Sequence, residues 1–188
     1  MPHFVPPLIN EPSIYRPFMP NCLKMSSYVF GDFLQHHQVD SVILSAHWEE
    51  SMFPELARTV AWIQQRGMKV IVIGPSMEYD TSPTSVFISA IRGNRQPNLD
   101  QHQIPEPQHI DRAMAVLVRS QMNARYISAF EDLCDQGSSA ASGKLSQATP
   151  KCLMFAAPNV PLIWDTNHFT AQGAIAYATV MRNRGQLP

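Results

Sequence analysis

Asp165 and His168 lie three residues apart near the end of the chain, in the stretch LIWDTNHFTAQGA (162–174). A general base needs an imidazole held in one tautomer and one orientation, and a carboxylate bonded to its Nδ1–H supplies both. The spacing therefore predicts a catalytic pair whose nitrogen–oxygen distance is about 2.6–3.2 Å. The alternative is that Asp165 caps a turn and that His168 is a surface histidine, which is the preferred interpretation of an isolated D-x-x-H.

Two apolar runs with a helix between them form the clearest pattern upstream of this pair. DSVILSAHW (Asp40–Trp48) and MKVIVIGP (Met68–Pro75) are typical of strands in a buried parallel sheet, covered on both faces. FPELARTVAWIQQRG (Phe53–Gly67) predicts a helix, with Pro54 in its first turn and Gly67 as its C-terminal stop. This succession of strand, helix and strand indicates a right-handed parallel crossover.

The remaining chain, interpreted in the same way, predicts one α/β domain over residues 1–188. This domain has a three-layer α/β/α architecture with a mostly parallel sheet. Sites in such sheets form at the carboxyl ends of the strands, and we expect Asp165 and His168 at such an end. The other predicted elements are helices over residues 21–38 (Asn21 as N-cap), 84–93, 108–122 and 170–185 (Thr170 as N-cap), and extended segments over 125–130, 151–157 and 160–165.

Composition favours a globular chain and argues against several kinds of partner. Of the 188 residues, 45% are hydrophobic and 15% are charged, which is typical of a folded domain. The net charge is −1 and no cluster of Lys or Arg occurs, so we predict no nucleic-acid partner. No apolar run approaches the ~20 residues of a membrane-spanning helix. The first residues, MPHFVPPLINEP, lack the pattern of a signal peptide.

The sequence predicts neither a metal site nor a cofactor. None of the three cysteines shows the C-x-x-C spacing of a zinc site: Cys22, Cys134 and Cys152. The histidines outside the motifs discussed here are interpreted as solvated surface residues: His3, His36, His37, His102 and His109.

The stretch DTNHFTAQGA resembles the last motif of the SGNH hydrolase superfamily, in which Asp-x-x-His precedes a Ser/Thr-x-x-Gly helix start. More narrowly, the chain resembles the SGNH domain attached to bacterial membrane acyltransferases of family three, which O-acetylate envelope polysaccharides. Three further stretches resemble this group in the same order: VDSVILSAHWEE, MKVIVIGPSMEYD and LCDQG…KCLMF…VPLIWDTNHFTAQGA.

The resemblance implies a flavodoxin-like SGNH fold and a Ser-His-Asp mechanism, with His168 as general base and Asp165 as its orienting carboxylate. It implies transfer of an acyl group from a donor to a glycan hydroxyl, a membrane acyltransferase domain N-terminal to this one, and a location in the cell envelope. The alternatives are a carbohydrate esterase of the same fold and an inactive glycan-binding module.

The chain departs from the family pattern at the nucleophile. The family serine lies in a Gly-Asp-Ser block after the first strand, and no Gly-Asp-Ser occurs in these 188 residues. Gly-Asp occurs in FGDF (Phe30–Phe33), within a predicted helix, and this is a chance match. We therefore expect a chain that starts after the first strand and the serine block, and that is inactive alone. Ser26, Ser27 and Ser45 are the disfavoured substitutes, and true loss of the serine is the less favoured account.

A second departure concerns the oxyanion hole. Many SGNH enzymes use an asparagine in the third block to bind the developing oxyanion, where this chain has SAHWEE (45–50). His47 is a candidate oxyanion donor, and an ordinary hydrogen-bonded histidine at a strand end is an equal alternative. For Trp48, stacking against a sugar or lining a pocket is favoured over chemistry.

Cys134 and Cys152 bracket a polar segment rich in Ser, Ala and Gly. Composition alone favours free buried thiols. The resemblance to an extracytoplasmic family implies instead that the two are close, with Cα atoms within about 7 Å. A disulfide there could contribute ~3 kcal/mol in an oxidising compartment.

Overall fold

A computed structural model describes residues 20–135 and 151–187 of the chain. These residues form two compact units. Unit 1 comprises residues 20–74 and 110–127, and unit 2 comprises residues 75–109, 128–135 and 151–187.

Helices and strands alternate over the first part of the chain, and short strands follow. The helices are α1 (Pro20–Tyr28), α2 (Leu34–His36), α3 (Phe53–Gln64), α4 (Pro83–Arg92), α5 (Glu106–Gln121), α6 (Ala129–Leu133) and α7 (Ala171–Asn183), with a π-helical turn at Val29–Phe33 and 3₁₀ turns at Glu50–Met52 and Asp100–His102. The strands are β1 (Ser41–Ser45), β2 (Lys69–Ile73), β3 (Arg125–Ile127), β4 (Cys134–Asp135), β5 (Lys151–Cys152), β6 (Phe155–Ala157) and β7 (Val160–Pro161).

Unit 1 is built on a parallel sheet with the strand order β1-β2-β3. Alternate residues of a strand face the same side, and the register aligns Leu44, Val72 and Tyr126 across the three strands. This face packs against apolar residues of the helices, among them Leu56 of α3 and Met114 of α5, which are fully buried. The prediction of an α/β fold with parallel strands is confirmed.

The local signals around α3 act as predicted. Pro54 lies in the first turn of the helix, and Gly67 has a positive φ of 79° shortly after its end. The prediction for Asn21 was wrong, because α1 begins at Pro20 and Asn21 lies inside the helix.

The predicted strand over residues 40–48 is shorter and more exposed than expected. It runs from Ser41 to Ser45, and Ile43 is 46% exposed. The prediction of burial on both faces was wrong for β1, because the side chain of Ile43 is exposed whereas that of its neighbour Leu44, on the opposite face, is buried.

Unit 2 contains short antiparallel pairs where longer extended segments were predicted. β4 pairs with β5, and β6 pairs with β7. The segment predicted as extended over 125–130 ends at Ile127, because the Ser128 hydroxyl accepts the N–H of Glu131 and starts α6. The segment over 160–165 contributes only Val160–Pro161 to a strand.

Cys134 and Cys152 are opposite each other in the β4–β5 pair and form a disulfide. Their Cα atoms are 3.8 Å apart, which confirms the predicted proximity, and free thiols are excluded at these two positions. A bond across 18 residues stabilises the folded chain by about 3 kcal/mol, mainly by restricting the unfolded state. Cys22 lies in α1, and its side chain is outside the described residues.

Among the helices of residues 20–135 and 151–187, none combines the length and apolar composition needed to cross a bilayer.

Candidate active site

Asp165 and His168 lie on one tight turn of unit 2 and are hydrogen-bonded through the imidazole. The distance from His168 Nδ1 to Asp165 Oδ2 is 2.7 Å. The other carboxylate oxygen, Oδ1, accepts the backbone N–H of Asn167 at 3.0 Å and that of His168 at 2.8 Å. Both carboxylate oxygens are engaged, so the group has a fixed orientation, and an imidazole protonated on Nδ1 carries its basic lone pair on Nε2. The predicted contact is confirmed.

Backbone bonds close the turn on both sides of the pair. The N–H of Trp164 donates to the carbonyl of His168 at 3.0 Å, and Ile163 and Phe169 form an antiparallel bridge. The N–H of Tyr79 donates to the carbonyl of Thr166 at 2.9 Å, which fixes the tip of the turn to another segment of unit 2. The turn follows β7, which pairs with the antiparallel β6 in the described part of the chain, and its position at the carboxyl end of a parallel strand stays a prediction.

The sequence after the turn explains how α7 is held against it. The Thr170 hydroxyl accepts the N–H of Gly173 at 2.9 Å and donates to the carbonyl of Pro161 at 2.8 Å. A Cβ on Gly173 would lie 2.0 Å from the carbonyl oxygen of Leu162, a distance that only glycine permits. Thr170 is the N-cap of α7, as predicted, and the Thr-x-x-Gly pattern fixes the helix start beside the strand that leads into the turn.

The surroundings of Asp165 favour its ionised form. Burial raises the pKa of this carboxyl, but the N–H groups of Asn167 and His168 and the imidazole of His168 lower it more. The pKa therefore lies below its ordinary value of 3.8. An ionised carboxylate at Nδ1 stabilises an imidazolium, which suits the pair to taking up a proton and returning it.

The comparisons with known proteins concern the family and the fold of the chain. The model of the family described as "SGNH domain (fused to AT3 domains)" matches residues 3–183. The chain belongs to this family. No curated protein matches it.

A solved structure similar to this SGNH domain is the periplasmic domain of the lipopolysaccharide acetyltransferase of Salmonella ser. Paratyphi A. The TM-score is 0.67 and the sequence identity is 18%. The match covers 86% of this chain and 62% of the other, so the chain spans less than two thirds of that domain. At this identity the likeness shows the fold, which is α/β of the SGNH type.

The other two predicted site residues, His47 and Trp48, lie in unit 1. His47 is half-buried, and its role as an oxyanion donor stays a prediction. Trp48 is 2% exposed, belongs to the hydrophobic core of unit 1, and donates its Nε1–H to the carbonyl of Ile73 at 2.7 Å. This burial favours a structural role for Trp48 over stacking against a sugar.

The serines weighed as substitute nucleophiles also lie in unit 1. Ser26 and Ser27 are on α1, and Ser45 is the last residue of β1. The Gly-Asp of Phe30–Phe33 lies in the π-helical turn, which confirms that this stretch is helical. Ser26 and Ser27 therefore lie within a helix, whereas Ser45 stands at the end of a strand, before the segment that leads into α3.

Unit 2 contains a second Asp–His pair that sequence reasoning missed. His102 Nδ1 lies 2.8 Å from Asp80 Oδ1, and the N–H of Asp80 donates to the carbonyl of His102, also at 2.8 Å. His102 is therefore a partly exposed histidine that is hydrogen-bonded to a surface carboxylate. The two residues are 22 positions apart, and no local motif in the sequence indicates their contact.

Trp164 is a further residue of the turn that sequence reasoning did not single out. Its side chain is 59% exposed, and its ring centroid lies 6.4 Å from that of His168. The signal was present in the sequence, because the tryptophan directly precedes the Asp of the motif.

Proposed function

We propose that this SGNH domain carries the general base of an O-acyltransferase, which passes an acyl group such as acetyl to a glycan hydroxyl. His168 is the base, Asp165 orients it, and the nucleophile is a serine outside these 188 residues. The observation that carries the proposal is the 2.7 Å bond between His168 Nδ1 and a carboxylate whose other oxygen accepts two backbone N–H groups.

In the first half of the reaction, His168 Nε2 takes the proton of the serine hydroxyl while the serine oxygen attacks the carbonyl carbon of the acyl donor. The carbonyl electrons move onto oxygen and return as the bond to the donor's leaving group breaks. The imidazolium, stabilised by Asp165, gives its proton to that leaving group. The product is an acyl-serine.

In the second half, Nε2 takes the proton of a glycan hydroxyl, and the glycan oxygen attacks the acyl-serine carbonyl. The bond to the serine oxygen then breaks, and the imidazolium returns the proton to serine. Water in place of the glycan gives hydrolysis by the same steps. The developing oxyanion also needs a hydrogen-bond donor, and we propose His47 as the first candidate to test.

Family membership supports the wider setting of the proposal. The family is described as fused to AT3 domains, so we propose such a membrane acyltransferase domain as the partner that delivers the acyl group. The solved relative is a periplasmic domain, and together with the Cys134–Cys152 disulfide it supports a location on the outer side of the cytoplasmic membrane. We also propose that residues 1–188 belong to one SGNH domain, because the family model extends over both units.

The test compares the 188-residue chain with the longest protein its gene encodes, each with wild-type and His168→Ala sequences. The substrates are 4-nitrophenyl acetate and a bacterial oligosaccharide, with the acetylated product detected by mass spectrometry. We expect turnover by the longer protein only, lost in His168→Ala. Equal turnover by the short chain, abolished by His168→Ala, would place the nucleophile within these residues, and Ser26→Ala, Ser27→Ala and Ser45→Ala would then identify it. Absence of turnover in both proteins would contradict the enzyme proposal and leave a glycan-binding module.

A further inference from the structure

Trp164 differs from the other two tryptophans of the chain in exposure. Trp48 is 2% exposed in the core of unit 1, and the ring of Trp62 is covered by the guanidinium of Arg66, 3.5 Å from its centroid. Trp164 is 59% exposed. Its indole is therefore accessible to a ligand, which the rings of the other two tryptophans are not to the same extent.

The backbone of Trp164 is fixed on both sides, so the indole stands on a rigid support. Its N–H donates to the carbonyl of His168 at 3.0 Å, and its carbonyl accepts the hydroxyl of Thr84 at 3.1 Å. An indole on a fixed backbone is a platform with only two side-chain torsions to order when a ligand stacks on it.

The platform lies beside the imidazole that takes up the proton. The ring centroids of Trp164 and His168 are 6.4 Å apart and the ring planes are inclined by 36°. At this separation, one sugar-sized molecule can reach both the imidazole and the indole. The tip of the same turn is polar, with Thr166 and Asn167, which suits a ligand with one apolar face and a hydroxylated rim.

We propose that Trp164 stacks on the C–H face of the pyranose ring that carries the accepting hydroxyl, and thereby selects a cyclic sugar over water and over acyclic alcohols. The inference rests on the proposed function, because it takes His168 as the base. The proposed ligand is a saccharide, since a lipid chain or an apolar protein segment gains nothing from the polar tip of the turn.

The first test measures binding without catalysis. The 188-residue chain is applied to an array of bacterial polysaccharide fragments, next to Trp164→Ala, Trp164→Phe and Ile175→Ala. Ile175 is 67% exposed in the same unit and serves as the matched apolar control. We expect binding to a subset of the fragments, weakened by about tenfold in Trp164→Ala and by less than about threefold in Trp164→Phe and Ile175→Ala. No binding by the wild type, or equal binding by Trp164→Ala, overturns the inference.

The second test separates this inference from the proposed function. His168→Ala is made in the 188-residue chain for the array and in the longest protein that the gene encodes for the acyl-transfer assay. Retained binding with lost transfer supports both proposals. If His168→Ala keeps its transfer activity, the proposed function fails. If transfer depends on His168 while Trp164→Ala leaves the ratio of transfer to hydrolysis unchanged, only the role of Trp164 fails.

Discussion

Two Asp–His pairs of unit 2 have nearly the same nitrogen–oxygen distance, 2.7 Å for Asp165–His168 and 2.8 Å for Asp80–His102. They differ in how the carboxylate is held. Asp165 is 29% exposed, and its second oxygen accepts two backbone N–H groups, whereas Asp80 is 62% exposed. A short distance alone therefore does not identify a catalytic pair. A carboxylate with both oxygens engaged holds its imidazole in one orientation, and an exposed one leaves more freedom.

The elements that follow the two carboxylates extend the comparison. Each is followed by a helix with a hydroxyl N-cap: Ser82 accepts the N–H of Ser85 at the start of α4, and Thr170 accepts the N–H of Gly173 at the start of α7. Only the second cap also donates to a distant carbonyl, that of Pro161. The turn at 165–168 is thus held by two sets of hydrogen bonds. The first set is made by the Asp165 carboxylate, and the second is made by the Thr170 hydroxyl just after the turn.

The largest expected difference is in catalysis. In the active form of the protein, His168→Ala should lower kcat/KM for acyl transfer by roughly 10²–10⁴-fold, because the general base is lost. His102→Ala should change it by less than about twofold, because the imidazole of His102 bonds to Asp80 and not to the catalytic pair. Steady-state kinetics with both variants, with folding checked by circular dichroism, measures the difference. Comparable losses of kcat/KM in the two variants would mean that the hydrogen bonds holding Asp165 do not mark its pair as the catalytic one.

The glycines near the two helices should differ in their tolerance of a methyl group. Gly173→Ala should destabilise the protein by about 1–3 kcal/mol, because the new Cβ meets a backbone oxygen at 2.0 Å. At Gly93, just after α4, the nearest atom is Nε of the flexible Arg95 side chain at 2.8 Å, so Gly93→Ala should cost less than about 0.5 kcal/mol. Urea unfolding of both variants tests this pair. A Gly93→Ala cost equal to that of Gly173→Ala would contradict the argument from backbone contact.

The two N-caps should differ by a smaller amount. Thr170→Ala removes a bond to the Gly173 N–H and a bond to the Pro161 carbonyl, and we expect a loss of about 2 kcal/mol. Ser82→Ala removes the weaker cap bond of 3.3 Å to Ser85, and we expect about 0.5–1 kcal/mol. Thermal unfolding by calorimetry compares the variants. The decisive result is the order of the two stability losses. A greater loss in Ser82→Ala than in Thr170→Ala would contradict the claim that the bond from Thr170 to the Pro161 carbonyl adds support.

The smallest expected effect is on the stability of the protein at acid pH. The pKa of Asp80 lies below its ordinary value because of the hydrogen bonds from His102 and Thr81, and that of Asp165 lies below it because the turn's N–H groups and the imidazole outweigh burial. A carboxyl with a depressed folded pKa contributes stability above its unfolded pKa, and this stability is lost as the pH falls through the folded value.

The change in stability between about pH 5 and pH 2 should therefore be smaller in Asp165→Asn and in Asp80→Asn than in the wild type. We expect the greater flattening in Asp165→Asn, because water screens the more exposed Asp80. Urea unfolding at a series of pH values gives the slopes. A steeper pH dependence in either variant would contradict the direction of the shift.

The pair at 165–168 was predictable because its members are three residues apart and the bonds that orient them lie within the motif. The pair at 80 and 102 was not, since it forms only when the chain returns after α4. The environment of Trp48 was likewise not predictable from the sequence. A tryptophan at the end of a strand suits a pocket wall as well as a core, and only the packing of unit 1 decides between them.

The elements of the fold were predictable in kind but not in their ends or their partners. The apolar runs indicated β1 and β2, but hydropathy does not show which strand is at an edge, and Ile43 is exposed there. A serine that can cap a helix also fits within a strand, so the switch at Ser128 from β3 to α6 was missed. The direction of pairing in β6 and β7 depends on the Asn159 turn between them, where φ is 61°.

The Cys134–Cys152 bond also changes what a break in the chain would mean. Residues 136–150 lie inside the covalent ring that this bond closes. If a protease cut one peptide bond within that segment, the sulfur bridge would still join the fragment that carries Asp165 and His168 to the rest of the polypeptide. The nicked molecule would migrate as a single species until a reductant separated it into two, so the continuity of the protein at this point depends on thiol chemistry as much as on the peptide backbone.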